Sequence, residues 1–259
     1  MKQNEILFLG TCACDYSPLL ETTFKDCFDK DARRSSCALV NGRYLLDCGF
    51  HAMESLRIAK IDLGKITDVF ITHFHSDHYN AEHLRQIAQA GDRVLRVWVR
   101  EDAKTPEIEG VEWKYMAKAT QYAVADGVFV TGLQANHDAV SYPQHILLEA
   151  RGEKIFYALD GAWFLNETYY ALKNAKLDLL VLDCTCGDYE GDYRIGEHNT
   201  VPMIRLMLPS LRRWGSIDDH TKVYVSHLAP SLHKSHEETV ELFKKDNVCV
   251  AYDGLLLSI

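Results

Sequence analysis

"THFHSDH", residues 72–78, places three histidines and an aspartate within one short stretch. His73 and His75 are two positions apart, so in extended backbone their side chains leave on the same side and can grip one cation. Asp77 and His78 follow where the chain turns into a helix expected to begin near Tyr79, and that turn aims them at a second position close by. Two divalent ions roughly 3.5 to 4 Å apart form a clamp for hydrolytic displacement. The donors are imidazole and carboxylate, with no cysteine in the cluster. Such a set suits zinc, manganese or iron better than a structural thiolate-bound zinc.

The rest of the chain supplies this stretch with partners. Apolar, strand-like runs recur: "EILFLG", "CALVNGRYLLDCG", "DVFITH", "RVWVRE", "VFVTGLQANH", "HILLEA", "KIFYALD", "DLLVLDC", "KVYVSH" and "VCVAYDGLLLSI". They are rich in Val, Ile, Leu, Phe and Tyr and bounded by Gly, Asp or Asn, with some neighbours expected to pair as hairpins. Between them, "AMESLRIAK", "NAEHLRQIAQAG", "NETYYALKNA", "VPMIRLMLPSLRRWG" and "SHEETVELFKKD" space their apolar residues nearer 3.6 than 2, as helices do. Ser235 with Glu238 reads as a capping box, and Pro209 is expected to kink or end the helix before it. The order of elements predicts an α/β fold. Six apolar runs deliver an acid or histidine at their carboxyl ends: Asp47, His73, His137, Asp160, Asp183 and His227. In α/β sheets those ends converge on one edge, where ligands bind.

Composition bounds the alternatives. A chain of 259 residues with 47% hydrophobic content can bury a large core, and with no visible linker, repeat or domain boundary it reads as a single domain over 1–259. No apolar run reaches the roughly 20 residues of a membrane span, and "MKQNEILFLG" lacks the long apolar core of a signal peptide. The eight cysteines do not form a disulfide framework, which points to a reduced, cytoplasmic protein. A net charge of −9 argues against a broad nucleic-acid footprint.

The motif His73-x-His75-x-Asp77-His78, with "FLGT", "LLDCG", His137, Asp160, His227 and the closing "VAYDGLLLSI", resembles the metallo-β-lactamase fold hydrolases over nearly the whole chain. The resemblance implies a four-layer αββα sandwich of two mixed sheets with helices outside. It implies two divalent metal ions: His73, His75 and His137 on the first, Asp77, His78 and His227 on the second, Asp160 bridging both, and Asp47 orienting a ligand histidine. Asp77 together with His78 and the bridging Asp160 looks unlike the antibiotic-hydrolysing members, which lack that carboxylate. The two ends of the chain, and His198 in "GEHNT" downstream of "LVLDCTCG", are most similar to the phosphodiesterase group that includes a cyclic-phosphate phosphodiesterase and a tRNA-processing nuclease.

The expected activity is therefore hydrolysis of a small phosphodiester, linear or cyclic, with a hydroxide shared between the two ions as nucleophile. Two divalent cations, two ligand carboxylates and a hydroxide leave a formal charge of about +1, matched to a phosphodiester monoanion. Asp77 and His198 are the residues expected to act in the chemistry, His198 as general acid to the leaving alkoxide; the plainer role for His198 is to precede the helix starting near Val201. Thioesterase or lactonase activity of the same fold, or non-catalytic metal or nucleotide binding, are the competing expectations. A tRNA nuclease would carry a Gly- and Lys-rich arm that this chain lacks. No membrane partner is expected, and a homodimer is compatible with the sequence. Arg33 and Arg34 are either a phosphate clamp or, the preferred reading, solvated charges. Cys12, Cys14 and Cys27 resemble an accessory structural zinc site of some relatives, with His233 or His236 in place of the ligand missing at Pro230, although ordinary reduced thiols are the preferred reading. Cys184 and Cys186 are expected to pack beside the site. His51, His83, His145 and His220 are expected to be surface or hydrogen-bonded residues.

Overall fold

The computed structural model describes residues 3–15 and 26–259. The first sheet contains β1 (Glu5–Gly10), β2 (Cys37–Val40), β3 (Tyr44–Leu46), β4 (Asp68–Phe70), β5 (Leu95–Arg100) and β6 (Val111–Met116). The second contains β7 (Gln121–Ala125), β8 (Val128–Gln134), β9 (Gln144–Ala150), β10 (Glu153–Ala158), β11 (Leu179–Asp183), β12 (Lys222–Ser226) and β13 (Cys249–Val250). A last strand, β14 (Leu256–Ser258), returns to the first sheet beside β1. The orders are β14-β1-β2-β3-β4-β5-β6 and β13-β12-β11-β10-β9-β8-β7. In these orders the first sheet is antiparallel from β14 to β3 and parallel from β3 to β6, and the second is parallel from β13 to β10 and antiparallel from β10 to β7.

Alternation along the strands builds the layers. In β11, Leu179 and Val181 enter the core between the sheets, whereas Leu180 and Leu182 face the helices. The inter-sheet core also holds Phe8, Leu46, Phe70, Ile146 and Tyr157. Helices α1 (Ala52–Ile58) and α2 (Ala81–Gln89) cover the first sheet through Leu56, Leu84 and Ile87. The second is covered by α3 (Asn166–Ala171), α4 (Val201–Arg213) and α5 (His236–Phe243), through Leu172, Ile204, Leu208, Leu211 and Phe243. The result is the four-layer αββα sandwich.

Local chemistry explains most boundaries. The run "CALVNGRYLLDCG" folds back between β2 and β3 through residues 41–43, where Asn41 and Gly42 both take positive φ, 54° and 66°, and the Arg43 amide donates to the Val40 carbonyl. Asn80 caps α2 by accepting from the amides of Glu82 and His83. Ser235 and Glu238 form the expected capping box. Helix α4 does not end at Pro209; it continues to Arg213. Pro209 lies on the exposed face, where the carbonyl it leaves unbonded can take water, while Met207, Leu208 and Leu211 hold the helix on the sheet. "VEWKYM" and "QYAVA", absent from the expected runs, are β6 and β7. Both are edge strands with only one buried position each, which dilutes the apolar signal.

Arg33 and Arg34 are neither solvated nor a clamp: they are 5% and 2% exposed. The Arg33 guanidinium donates to Thr11 Oγ1 at 2.7 Å and the Ala251 carbonyl at 2.8 Å, and Arg34 meets Glu54 at 3.1 Å. Together with Asp253, which accepts from Thr11 and from the Arg34 amide, they fasten the end of the chain to its beginning.

His145 is not a surface residue. It is fully buried against the rings of Phe156 and Phe164, at 5.7 and 5.5 Å, and burial pushes its pKa down to about 4. A histidine that titrates near 6.5 in the unfolded chain and near 4 in the fold contributes stability that is present above pH 6.5 and lost as the pH falls toward 4. We expect His145→Leu to gain about 2 kcal/mol relative to wild type between pH 7 and pH 5, read from urea unfolding at both values. Parallel losses in the two proteins would rule this out. His51 and His83 are hydrogen-bonded, to the Ser35 amide and the Gly49 carbonyl, and His220 is exposed.

Candidate metal centre

The carboxyl ends of β3, β4, β8, β10, β11 and β12 meet along one edge of the sandwich. Asp47, Asp160 and His227, each just past a strand, adopt left-handed backbone with φ of 63°, 46° and 57°. Asp and His tolerate that region better than branched residues, and it turns the chain sharply as it leaves the sheet. The loop 72–78 is seated on the segment after β3: the Cys48 amide donates to the His78 carbonyl at 2.8 Å and the Phe50 amide to the Ser76 carbonyl at 2.9 Å. Gly49 allows the approach, since a Cβ there would lie 1.8 Å from the Asp77 carbonyl oxygen.

Two donor sets result. Ring nitrogens of His73, His75 and His137 converge, with His75 Nδ1 lying 3.0 Å from His73 Nε2 and 3.3 Å from His137 Nε2. Beside them, His78 Nε2 and His227 Nε2 face one another at 3.2 Å, with Asp77 Oδ2 at 3.2 and 3.5 Å from them. Asp160 stands between the sets. Its Oδ2 is 2.9 Å from His78 Nε2 and 3.0 Å from His227 Nε2, while its Oδ1 is 3.7 Å from His73 Nε2 and 3.9 Å from His137 Nε2.

The outer nitrogens of these rings are held. His73 Nδ1 meets Thr72 Oγ1 at 3.1 Å, and His78 Nδ1 meets Asp47 Oδ2 at 2.7 Å. His137 Nδ1 donates to the Glu197 carbonyl at 3.4 Å, and His227 Nδ1 meets Thr185 Oγ1 at 2.8 Å. A proton spent on Nδ1 leaves Nε2 as a bare lone pair aimed inward. Lone pairs facing at such distances repel unless a cation lies between them, so the residues present fit divalent metal ions. Burial holds His73 neutral, the form that binds a metal. Burial opposes the charge on Asp160, but the neighbouring His227 and His78 outweigh it and hold the carboxyl well below the usual range.

Thr72 also donates to Asp47, whose Oδ1 accepts from the Thr72 amide at 2.8 Å. Asp47 thus fixes both His78 and the start of the motif. We expect Asp47→Ala to weaken metal affinity by about 10- to 100-fold, measured by competition with a chromophoric chelator; unchanged affinity would reject this role.

His198 lies beside both sets. Its ring is 5.0 Å from that of His137 and stacks on His227 at 5.5 Å. Its Nδ1 is 2.6 Å from Asp183 Oδ2 and 3.0 Å from Thr185 Oγ1. Burial disfavours its charge, but the Asp183 carboxylate prevails and raises its pKa to about 9. Sequence reasoning did not assign roles to Thr72, Thr185 or Asp183. Asp183 had a signal, its place at the end of "LLVLD"; the threonines had none. Helix α4 begins at Val201 with Thr200 as cap, so His198 precedes it without capping it.

The cysteines gather no such set. Cys12 is buried, Cys14 and Cys27 are exposed, and no candidate cluster among the described residues includes them. His233 and His236 have other partners, the Cys184 carbonyl at 2.7 Å and the Arg33 guanidinium at 3.1 Å. Cys184 and Cys186 are buried where β11 meets the site.

A model of the Beta-lactamase superfamily domain matches residues 42–244. The chain belongs to this family, and its fold and its histidine–aspartate cluster mark it as a metallo-β-lactamase superfamily hydrolase. Among solved structures, it is similar to the metallo-β-lactamase fold protein YhfI from Bacillus subtilis, at 14% identity and a TM-score of 0.74 over 100% of both chains. It is also similar to a diphosphatase from the PhnP family, at 17% identity and a TM-score of 0.75 over 99% of this chain and 97% of that one. The short form of human tRNase Z aligns at 17% identity and a TM-score of 0.68 over 98% and 99%. No curated protein matches the sequence significantly. Among the described residues, no helix is long and apolar enough to cross a membrane.

Proposed function

We propose that this chain is a dinuclear metal-dependent phosphodiesterase acting on a small phosphodiester. The observation that carries the reading is the division of Asp160, with one oxygen toward His73 and His137 and the other toward His78 and His227. His73, His75 and His137 hold one ion, Asp77, His78 and His227 the other, and Asp160 is shared. Zinc and manganese suit these donors, and iron is compatible with them. When bound, the pair of ions supplies Lewis-acid charge stabilisation and makes hydroxide accessible near neutral pH.

The chain's own residues supply the rest. Asp77 places its carboxylate against the second histidine pair, and Thr72, Thr185, Asp47 and Glu197 keep the rings oriented. His198 is the proton donor to the leaving alkoxide: Asp183 holds it charged at Nδ1 and leaves Nε2 available. Two structural neighbours are named a diphosphatase and a tRNase, and chemistry at phosphorus in both supports the substrate class. Asp138 stands 3.5 Å from His75, and Glu197 4.0 Å from His137. These acids and the net charge of −9 favour a small monoanion over a nucleic acid. Eight free cysteines among the described residues fit a reduced, cytoplasmic setting.

The test is a panel of cyclic and linear phosphodiesters, thioesters and lactones on protein whose metal content is measured in the same sample. Two equivalents of metal and turnover of diesters are expected. Turnover confined to thioesters or lactones would overturn the substrate class, and one equivalent under metal excess would overturn the dinuclear centre.

A further inference from the structure

Trp163 stands three residues past Asp160 in "DGAWF", and its segment is clamped from both sides. The Ala162 amide donates to the Asn136 carbonyl, next to His137, at 3.1 Å. The Trp163 amide donates to Asn199 Oδ1, next to His198, at 3.1 Å, and Asn199 Nδ2 returns to the Gly161 carbonyl at 2.8 Å. The Gly161 amide donates to Asp183 Oδ2 at 3.3 Å. Trp163 therefore sits on the rim, tied to the neighbours of His137 and His198.

Two features of the residue call for a cause. Its φ is +28°, in a region bulky L-residues avoid, and such conformations persist where the surroundings over-determine them and gather at ligand-binding positions. Its side chain is nevertheless 43% exposed, while the next residue, Phe164, is 6% exposed in the core. Among the described residues, the indole stacks on no aromatic ring and forms no hydrogen bond. A clamped, strained backbone thus presents a large flat surface to solvent beside the metal centre. The guanidinium groups of Arg33 and Arg34, the pair the sequence offered as an anion clamp, are buried in structural contacts.

We propose that Trp163 is the platform for the leaving group, selecting phosphodiesters whose alcohol carries a planar aromatic ring such as a nucleobase. The proposal rests on the phosphodiesterase reading above, in which His198 protonates the leaving oxygen, and it places the ring on that side because Asn199, next to His198, binds the Trp163 amide. The ring takes no part in bond making; it positions the diester.

Adenosine 5′-methyl phosphate and tetrahydrofurfuryl methyl phosphate test this, because the reacting atoms match and only the nucleoside's base and hydroxyls differ. Wild type should prefer the base-bearing diester by about 10-fold or more in kcat/KM, carried mainly by KM. Trp163→Ala should abolish the preference, through a raised KM for the base-bearing diester; Trp163→Phe should keep most of it. Adenosine added to the metal-loaded protein should quench tryptophan fluorescence, a signal lost in Trp163→Phe although Trp98, Trp113 and Trp214 remain. Diester hydrolysis with no base preference and no quenching overturns the platform and spares the phosphodiesterase. Quenching through Trp163 without hydrolysis of either diester keeps the platform and overturns the phosphodiesterase. A preference that survives in Trp163→Ala also overturns the platform.

Discussion

Asp160→Ala should fall from two bound metal ions to fewer than one and lose at least about 10³-fold in kcat/KM, since charge stabilisation of several kcal/mol depends on the ions it retains. The expectation follows from geometry. Removing Asp160 takes a carboxylate oxygen from beside His78 and His227, at 2.9 and 3.0 Å, and another from the side facing His73 and His137. Both donor sets are depleted by one substitution, so metal content and activity should fall together across a metal titration. Asp77→Ala should differ, because Asp77 lies only against His78 and His227, and one equivalent should remain. An Asp160→Ala protein that keeps two ions by elemental analysis would remove the basis for a shared carboxylate.

His198→Ala should keep both metals and still lose about 10² to 10⁴ in kcat on an alkyl phosphodiester, the usual range for a general acid. On a nitrophenyl diester the loss should be much smaller, because nitrophenolate leaves without a proton. The contrast separates proton donation from contact with phosphate, which would slow both substrates alike. Asp183→Asn tests the partner: it removes the carboxylate that raises the pKa of His198 to about 9. The variant should show the same selective loss on alkyl esters, with metal content unchanged. Equal losses on both esters in His198→Ala would eliminate the general acid and leave the metal centre standing.

The site was more legible than its support. Asp47, His73, His137, Asp160 and His227 stood out because they end buried strands, where a long apolar run makes the first polar residue conspicuous. The structure brings all five to one edge, with His75, Asp77 and His78 beside them. The Thr72 and Thr185 hydroxyls were invisible, since a threonine next to a strand end carries no periodic signal and its role depends on which rings it meets. Edge strands β6 and β7 were missed for the opposite reason, exposure on one face. Arg33 and Arg34 misled because a pair of arginines in a polar stretch reads as solvated. Their partners, Thr11, Ala251 and Glu54, come from other parts of the chain, up to 218 positions away. Pro209 misled because a local rule was weighed without the packing of the buried face of α4.

The return of β14 to the first sheet bears on how the protein is made. Glu5 pairs with Ser258, and Thr11 donates to Asp253. On a ribosome the N-terminal strand emerges first and must wait for nearly the whole chain before its outer neighbour exists. Until then one side of β1 is an open edge, able to pair with another nascent chain. The second sheet, formed from consecutive strands, has no such delay. Removal of residues 253–259 would therefore be felt first as aggregation during synthesis, along the open side of β1.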